Sequence, residues 1–272
     1  AARRFGWLVG LARTNDGLLV NRYQRPRTND PPGALYKFAK DGSMDLLATA
    51  PALAGYARGF KQVAVHQQTQ RVYGIVGVGG HNAVLLLGAQ LQLVAQVEAV
   101  EAKPHHQREY QERPIVDLAV HGDQVVVLTS DCHPEGSGLR LLDLDGRYLR
   151  TIAAGRFRSP HAVAAAHGRA FVVDHEYDEE DYCGEQCDDD DPYGEDCSYK
   201  VLHVIDTQSG DILQSVTLEL TYSAPGTILI DPSTILVDGD EIYIADYKAS
   251  TVVVLRFAGS SAAGGPSRPL LA

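Results

Sequence analysis

The sequence predicts an all-β fold, a β-propeller of four-stranded antiparallel blades. Three observations lead there: short apolar strands recur along the chain, Asp-Gly or Gly-Asp turns separate them, and the whole unit repeats about every 40–50 residues. Each unit reads as a short apolar strand, a turn, a more apolar strand that often ends in Asp, a polar loop, a third strand, a turn and a fourth strand. A four-stranded sheet of this composition cannot cover both of its faces alone, so such units stack side by side.

The clearest unit begins at Ser159. Residues 160–166 (PHAVAAA) are followed by the turn His167-Gly168-Arg169, the strand 170–174 (AFVVD), an acidic loop, and strands at 200–206 and 212–220. A second unit runs 232–237, turns at Asp238-Gly239-Asp240, continues 241–246 and adds a strand at 251–257. The third runs 114–120, turns at His121-Gly122-Asp123, and continues through 124–129, 138–144 and 148–152 with an Asp145-Gly146 turn. Two weaker units precede these, at 62–66, 71–76, 83–87 and 91–97, and at 7–11, 17–21, 34–38 and 46–49. Glycine and Asp between alternating apolar segments are hairpin signals. Residues 86–100 are the best helix candidate. Leu91, Leu93, Ala95 and Val97 alternate with Gln92, Gln96 and Glu98, which is the period of a strand. Five units are recognisable, the last with three clear strands. A sixth blade requires an irregular one within 98–114 or 221–232. We expect a single propeller domain over residues 1–258 with an acidic, Cys-rich insert at 174–199, and a flexible linker at 259–272.

The chain has 272 residues, 24 Lys+Arg and 35 Asp+Glu, a net charge of −11. That charge is local. Residues 174–196 hold 8 Asp and 5 Glu with no Lys or Arg, and the rest of the chain is 24 basic against 22 acidic. No basic stripe is present to meet phosphates, which argues against a nucleic-acid partner. No apolar run approaches the ~18 residues of a membrane helix. The sequence lacks a G-x-S-x-G elbow, a P-loop, a dinucleotide glycine motif and an H-E-x-x-H pair. Gly77-Val78-Gly79-Gly80 lacks a strand–turn–helix context and reads as a hairpin connection.

The insert carries three of the four cysteines. Cys183, Cys187 and Cys197 lie within it and Cys132 lies in the corresponding loop of the preceding unit. An even count concentrated this way points to two disulfides and an oxidising, extracellular or cell-surface compartment. A link from Cys132 to the insert would tether a long loop to its neighbour and contribute ~3 kcal/mol in the chain-entropy description. A zinc site built on Cys183, Cys187 and Cys197 with His133 or His175 is the alternative. The carboxylates suit a harder ion: Asp188, Asp189, Asp190, Asp191, Glu195 and Asp196 supply oxygens for calcium, without the EF-hand pattern. The insert could equally face a basic partner protein or another domain of a larger chain, or stand as a solvated loop.

The motif Pro-x-x-[apolar]-x-[apolar]-x-x-x-Gly-x-[apolar]-[Tyr/Phe]-Val-x-Asp resembles the NHL repeat. Residues 159–174 and 233–246 carry it best, and 113–131 match it more loosely. WD and kelch repeats match poorly, since the single Trp7 belongs to no Trp-Asp pair and Gly79-Gly80 is the lone double glycine before the C-terminal run from Gly259. NHL-type propellers include binding modules and one enzyme branch, the peptidyl-hydroxyglycine lyase that completes peptide amidation. That branch holds a zinc on histidines in its central cavity and a structural calcium, and a Pro-His at the start of an innermost strand is one of its metal-binding features. Pro160-His161 matches that feature, and the resemblance assigns His161 alone.

In a propeller the loops that enter the innermost strands and those after the second strands share one end. This gathers His161, Asp174, His175, Asp131, His133, His81, Asp246, Tyr247 and Lys248 about one opening, where imidazoles and carboxylates suit a divalent cation. A repeated Asp at a strand end can also serve only to bind local backbone N–H groups. The leading expectation is an extracellular binding or structural module. The runner-up is a metal-dependent lyase or lactone hydrolase with its cation near His161.

Overall fold

A computed structural model of the chain describes residues 7–23, 34–39, 43–49, 60–78, 81–89, 91–98, 115–130, 137–177, 198–218, 232–246 and 251–256. All regular structure among them is β-strand, so no helix there is long and apolar enough to cross a membrane. Nineteen strands form five antiparallel blade sheets of the β-propeller class. The first sheet is β1 (Trp7–Arg13), β2 (Gly17–Tyr23), β3 (Ala34–Ala39) and β4 (Met44–Thr49). The second is β5 (Gln62–Val65), β6 (Val72–Val78), β7 (His81–Leu87) and β8 (Leu93–Glu98). The third is β9 (Ile115–His121), β10 (Gln124–Thr129), β11 (Gly138–Asp143) and β12 (Tyr148–Ile152). The fourth is β13 (Pro160–Ala166), β14 (Arg169–Tyr177), β15 (Ser198–Asp206) and β16 (Ile212–Thr217). The fifth is β17 (Pro232–Asp238), β18 (Glu241–Asp246) and β19 (Thr251–Arg256), with three strands among the described residues. In every sheet the strands follow one another in chain order, the meander that short turns permit.

The turns match the sequence reading. The β13–β14 connection is His167-Gly168, with φ of 53° and 71°. Positive φ at both central residues is what a type I′ hairpin turn requires, and Gly168 adopts it without the Cβ penalty. The 86–100 segment is a strand at its core, β8, paired antiparallel with β7. The Gly77–Gly80 run joins β6 to β7, with Val78 opposite His81.

The motif also has a backbone counterpart. In the fourth sheet Pro160 stands opposite Asp174 and the register then shifts before Ala162. In the fifth, Pro232 stands opposite Asp246 with the same shift before Thr234. A bulge after Pro admits one extra residue and re-aims it, and in the fourth sheet that residue is His161.

The chain divides into two compact units, residues 1–127 with 140–150, and residues 128–139 with 151–272. In the first, one apolar cluster joins Leu19, Leu35, Phe60, Val72, Leu85 and Leu87, and another joins Tyr73, Ile75, Leu86, Ile115, Val125 and Leu142. Tyr73 is 1% exposed, and its hydroxyl donates to the Leu144 carbonyl at 2.8 Å, so the ring is buried without orphaning its polar end. In the second unit Phe171, Val173, Leu202, Val204, Ile242 and Ile244 form one core. Alternate residues of β14 and β15 supply it, as strand periodicity dictates.

Candidate functional site on the fourth sheet

Strand β14 places consecutive residues on opposite faces, so Asp174 and His175 belong to two different environments. Asp174 is fully buried. Its Oδ2 accepts from the Arg158 backbone N–H at 2.9 Å and its Oδ1 from the Ser159 N–H at 2.8 Å. The carboxylate thereby holds the chain that leads into β13. The His175 N–H donates to the Ser159 carbonyl at 3.2 Å and closes the same junction. On Asp174's face lies His203, two residues along β15 from Asp174's cross-strand partner Val201. His203 Nε2 is 3.7 Å from Asp174 Oδ2, and Nδ1 is 2.8 Å from Ser215 Oγ. Its ring leans on Phe157 with centroids 5.7 Å apart. A buried carboxylate needs donors such as the Arg158 and Ser159 N–H groups, because desolvation without them is costly.

On the other face His175 pairs across the strands with Lys200. Lys200 is buried and its Nζ donates to His175 Nδ1 at 2.7 Å. That donation places the ring proton of neutral His175 on Nε2, which is buried and meets no hydrogen-bond acceptor among the described residues. The ring of His161, exposed on the bulge, stacks on His175 with centroids 3.9 Å apart and planes 34° apart. Ser159 Oγ lies 3.4 Å from His161 Nε2. Burial first, then the neighbouring His161 and Lys200, lower the His175 pKa from 6.5 to about 3. His175 is therefore a neutral imidazole across the physiological range.

Of the residues singled out in the sequence, the structure brings His161 and His175 together and sets Asp174 on the opposite face of β14. His81 opens β7 and Asp246 ends β18, opposite Thr251. Asp131, Cys132, His133, Cys183, Cys187, Asp188, Asp189, Asp190, Asp191, Glu195, Asp196, Cys197, Tyr247 and Lys248 lie outside the described residues. Among the described residues no three of His, Cys, Asp and Glu stand close enough to hold one metal ion. A cation bound at His175 Nε2 would displace the proton that the Lys200 contact places there, whereas His161 is exposed to solvent.

Lys200, His203 and Ser215 escaped the sequence reading. His203 and Ser215 carry a signal, a His and a Ser at facing positions of adjacent strands. Lys200 carries none, because its partner is defined only by how a long insert closes.

No known family model matches the chain, and no curated protein matches its sequence. Solved structures do resemble it. Hydrazine synthase of Kuenenia stuttgartiensis aligns over 91% of this chain with 12% identity and a TM-score of 0.57. This chain spans 64% of that one. A PQQ-bound aldose sugar dehydrogenase from Streptomyces coelicolor aligns over 96% of this chain and 80% of its own, with 15% identity and a TM-score of 0.55. At these identities the likeness shows the β-propeller fold alone.

Proposed function

We propose that the chain is an extracellular propeller of the NHL type that serves as an interaction module, with its acidic insert as the binding element. One observation carries the reading. The β14–β15 ladder continues past Asp174 through His175–Lys200 and Glu176–Tyr199 to Tyr177–Ser198. The insert is thus borne on a hairpin of nine-residue strands, whereas β17, β18 and β19 have six or seven residues. Eleven of the twenty residues 178–197 are Asp or Glu, and close carboxylates repel one another unless a cation or a basic surface compensates. Calcium is the ion that such an oxygen-rich set suits, and disulfides among Cys132, Cys183, Cys187 and Cys197 would restrain the loop.

Calorimetric titration of calcium into the chelator-treated full chain tests this. Saturable binding that disappears when residues 178–197 are replaced by a short turn is the expected result. Absence of binding by the full chain would overturn the calcium assignment.

A second reading, a metal-dependent lyase or lactone hydrolase, draws on the exposed His161 ring stacked over His175. Bound zinc or calcium that survives removal of 178–197 and is lost in His161→Ala would favour this second reading.

A further inference from the structure

We propose a separate chemistry on the fourth sheet, on the face opposite His175: Ser215 is a nucleophile that takes the acyl group of small carboxylic esters, with His203 as its base. Val201, His203 and Ile205 form one row on that face of β15, and both neighbours of His203 in the row are buried aliphatic residues. An imidazole in such a row loses its hydration and needs polar partners. His203 has one on each side. Asp174 Oδ2 lies 3.7 Å from Nε2, and Ser215 Oγ lies 2.8 Å from Nδ1. Asp174 and His203 are buried and Ser215 is exposed, so the three groups run from the interior to the surface.

The carboxylate sets the tautomer. A ring lone pair turned toward Asp174 would be repelled, so the imidazole proton sits on Nε2 and Nδ1 accepts from the Ser215 hydroxyl. A serine is a weak nucleophile alone and is activated when an adjacent base takes its proton. Hydroxyl, imidazole and carboxylate stand here in that order. Asp174 is a positioning residue, a fixed counter-charge for the imidazolium that forms during the reaction. Its oxygens are themselves held by the Arg158 and Ser159 N–H groups.

The strand register supplies a further element. The Leu218 N–H donates to the Lys200 carbonyl at 2.7 Å, and bonded pairs alternate with non-bonded ones along an antiparallel ladder. Ser215 opposite His203 is then a non-bonded pair. Such pairs bring their side chains closest, which lets ring and hydroxyl meet, and they turn the backbone N–H away from the neighbouring strand. The Ser215 N–H thus points outward near Oγ, where it can stabilise the oxyanion of an attacked carbonyl. Among the described residues β16 is the terminal strand of its sheet, so an ester approaches from that side.

His66 shows what a merely local role looks like. Its Nδ1 accepts from the Thr69 hydroxyl at 2.7 Å and from the Thr69 N–H at 3.4 Å, which caps a turn three residues long. His203 and Ser215 lie on separate strands and cap nothing. In the reaction Oγ bonds to the carbonyl carbon as its proton passes to Nδ1. The carbon–oxygen bond to the alcohol breaks, and the alcohol leaves with that proton. Water attacks the acyl-serine by the same route and releases the carboxylic acid.

Incubation of the full chain with a fluorophosphonate, followed by intact-mass and peptide mass spectrometry, tests the assignment. One adduct per folded chain is expected, on Ser215, and none on the urea-unfolded chain. Ser215→Ala should abolish the adduct and, with it, the saturable turnover of p-nitrophenyl acetate. His203→Gln should slow labelling roughly a hundredfold or more. Ser215→Ala changes an exposed position, so the test stands even where the His203 variant does not fold. No adduct, an adduct that survives Ser215→Ala, or one formed as fast in folded His203→Gln overturns the proposal.

Discussion

The fourth and fifth sheets share one motif and differ in the residues that continue it. Both set a Pro opposite the terminal Asp and both shift register immediately after that Pro. Both bury the central positions of the second strand, Phe171 and Val173 in one and Ile242 and Ile244 in the other. In the fifth sheet the β18–β19 ladder, among the described residues, reaches Asp246 opposite Thr251. In the fourth the β14–β15 hairpin runs three residues beyond it, and only there do His175 and Lys200 meet beneath His161. The repeat is complete at Asp174, and the chemistry that distinguishes this sheet begins at the next residue. A buried Asp with both oxygens taken by backbone donors belongs to the fold, whereas an exposed imidazole stacked on a neutral, half-buried one belongs to the elaboration.

Removing the shared feature should have the largest effect. Asp174→Ala leaves the Arg158 and Ser159 N–H groups without their acceptor and is expected to cost about 3 kcal/mol in urea unfolding. Asp174→Asn keeps one acceptor oxygen and should cost less. A loss below about 1 kcal/mol for Asp174→Ala would show that the carboxylate does not hold the entry to β13.

A smaller effect is expected from the elaboration, and it depends on pH. His175 has its pKa lowered to about 3 in the folded chain from the ordinary 6.5, by burial first and then by His161 and Lys200. Between those values the unfolded chain binds the proton and the folded chain does not. Stability therefore falls as pH falls from about 6.5 toward 3 and gains nothing further above 6.5. His175→Gln should flatten that part of the stability–pH curve relative to the parent. An unchanged slope would mean that His175 is protonated in the folded state.

The smallest effect on stability should come from the largest change in sequence. Under reducing, calcium-free conditions, replacing residues 178–197 by a short turn should alter unfolding by less than about 1 kcal/mol, because the ladder to Tyr177–Ser198 and the core of Phe171, Leu202 and Val204 remain. Loss of cooperative unfolding would mean that the insert is part of the fold.

The strands and turns were legible in the sequence because local chemistry sets them. Gly168 admits positive φ and alternating aliphatic residues cover the sheet faces, so five units could be counted directly. The entry clamp at Asp174 was legible as one of two roles for a strand-end Asp. The Lys200–His175 pair was not legible, since a cross-strand register established across twenty-four intervening residues leaves no periodic trace.

The most direct test of the division between repeat and elaboration is the calcium-induced shift in unfolding temperature, measured on the full chain and on the chain lacking residues 178–197. A ligand that binds only the folded state raises that temperature with its concentration. Calcium should stabilise the full chain and leave the shortened chain unmoved, with the shortened chain still unfolding cooperatively. An equal shift in both, or no shift in the full chain, would contradict the assignment of binding to the insert.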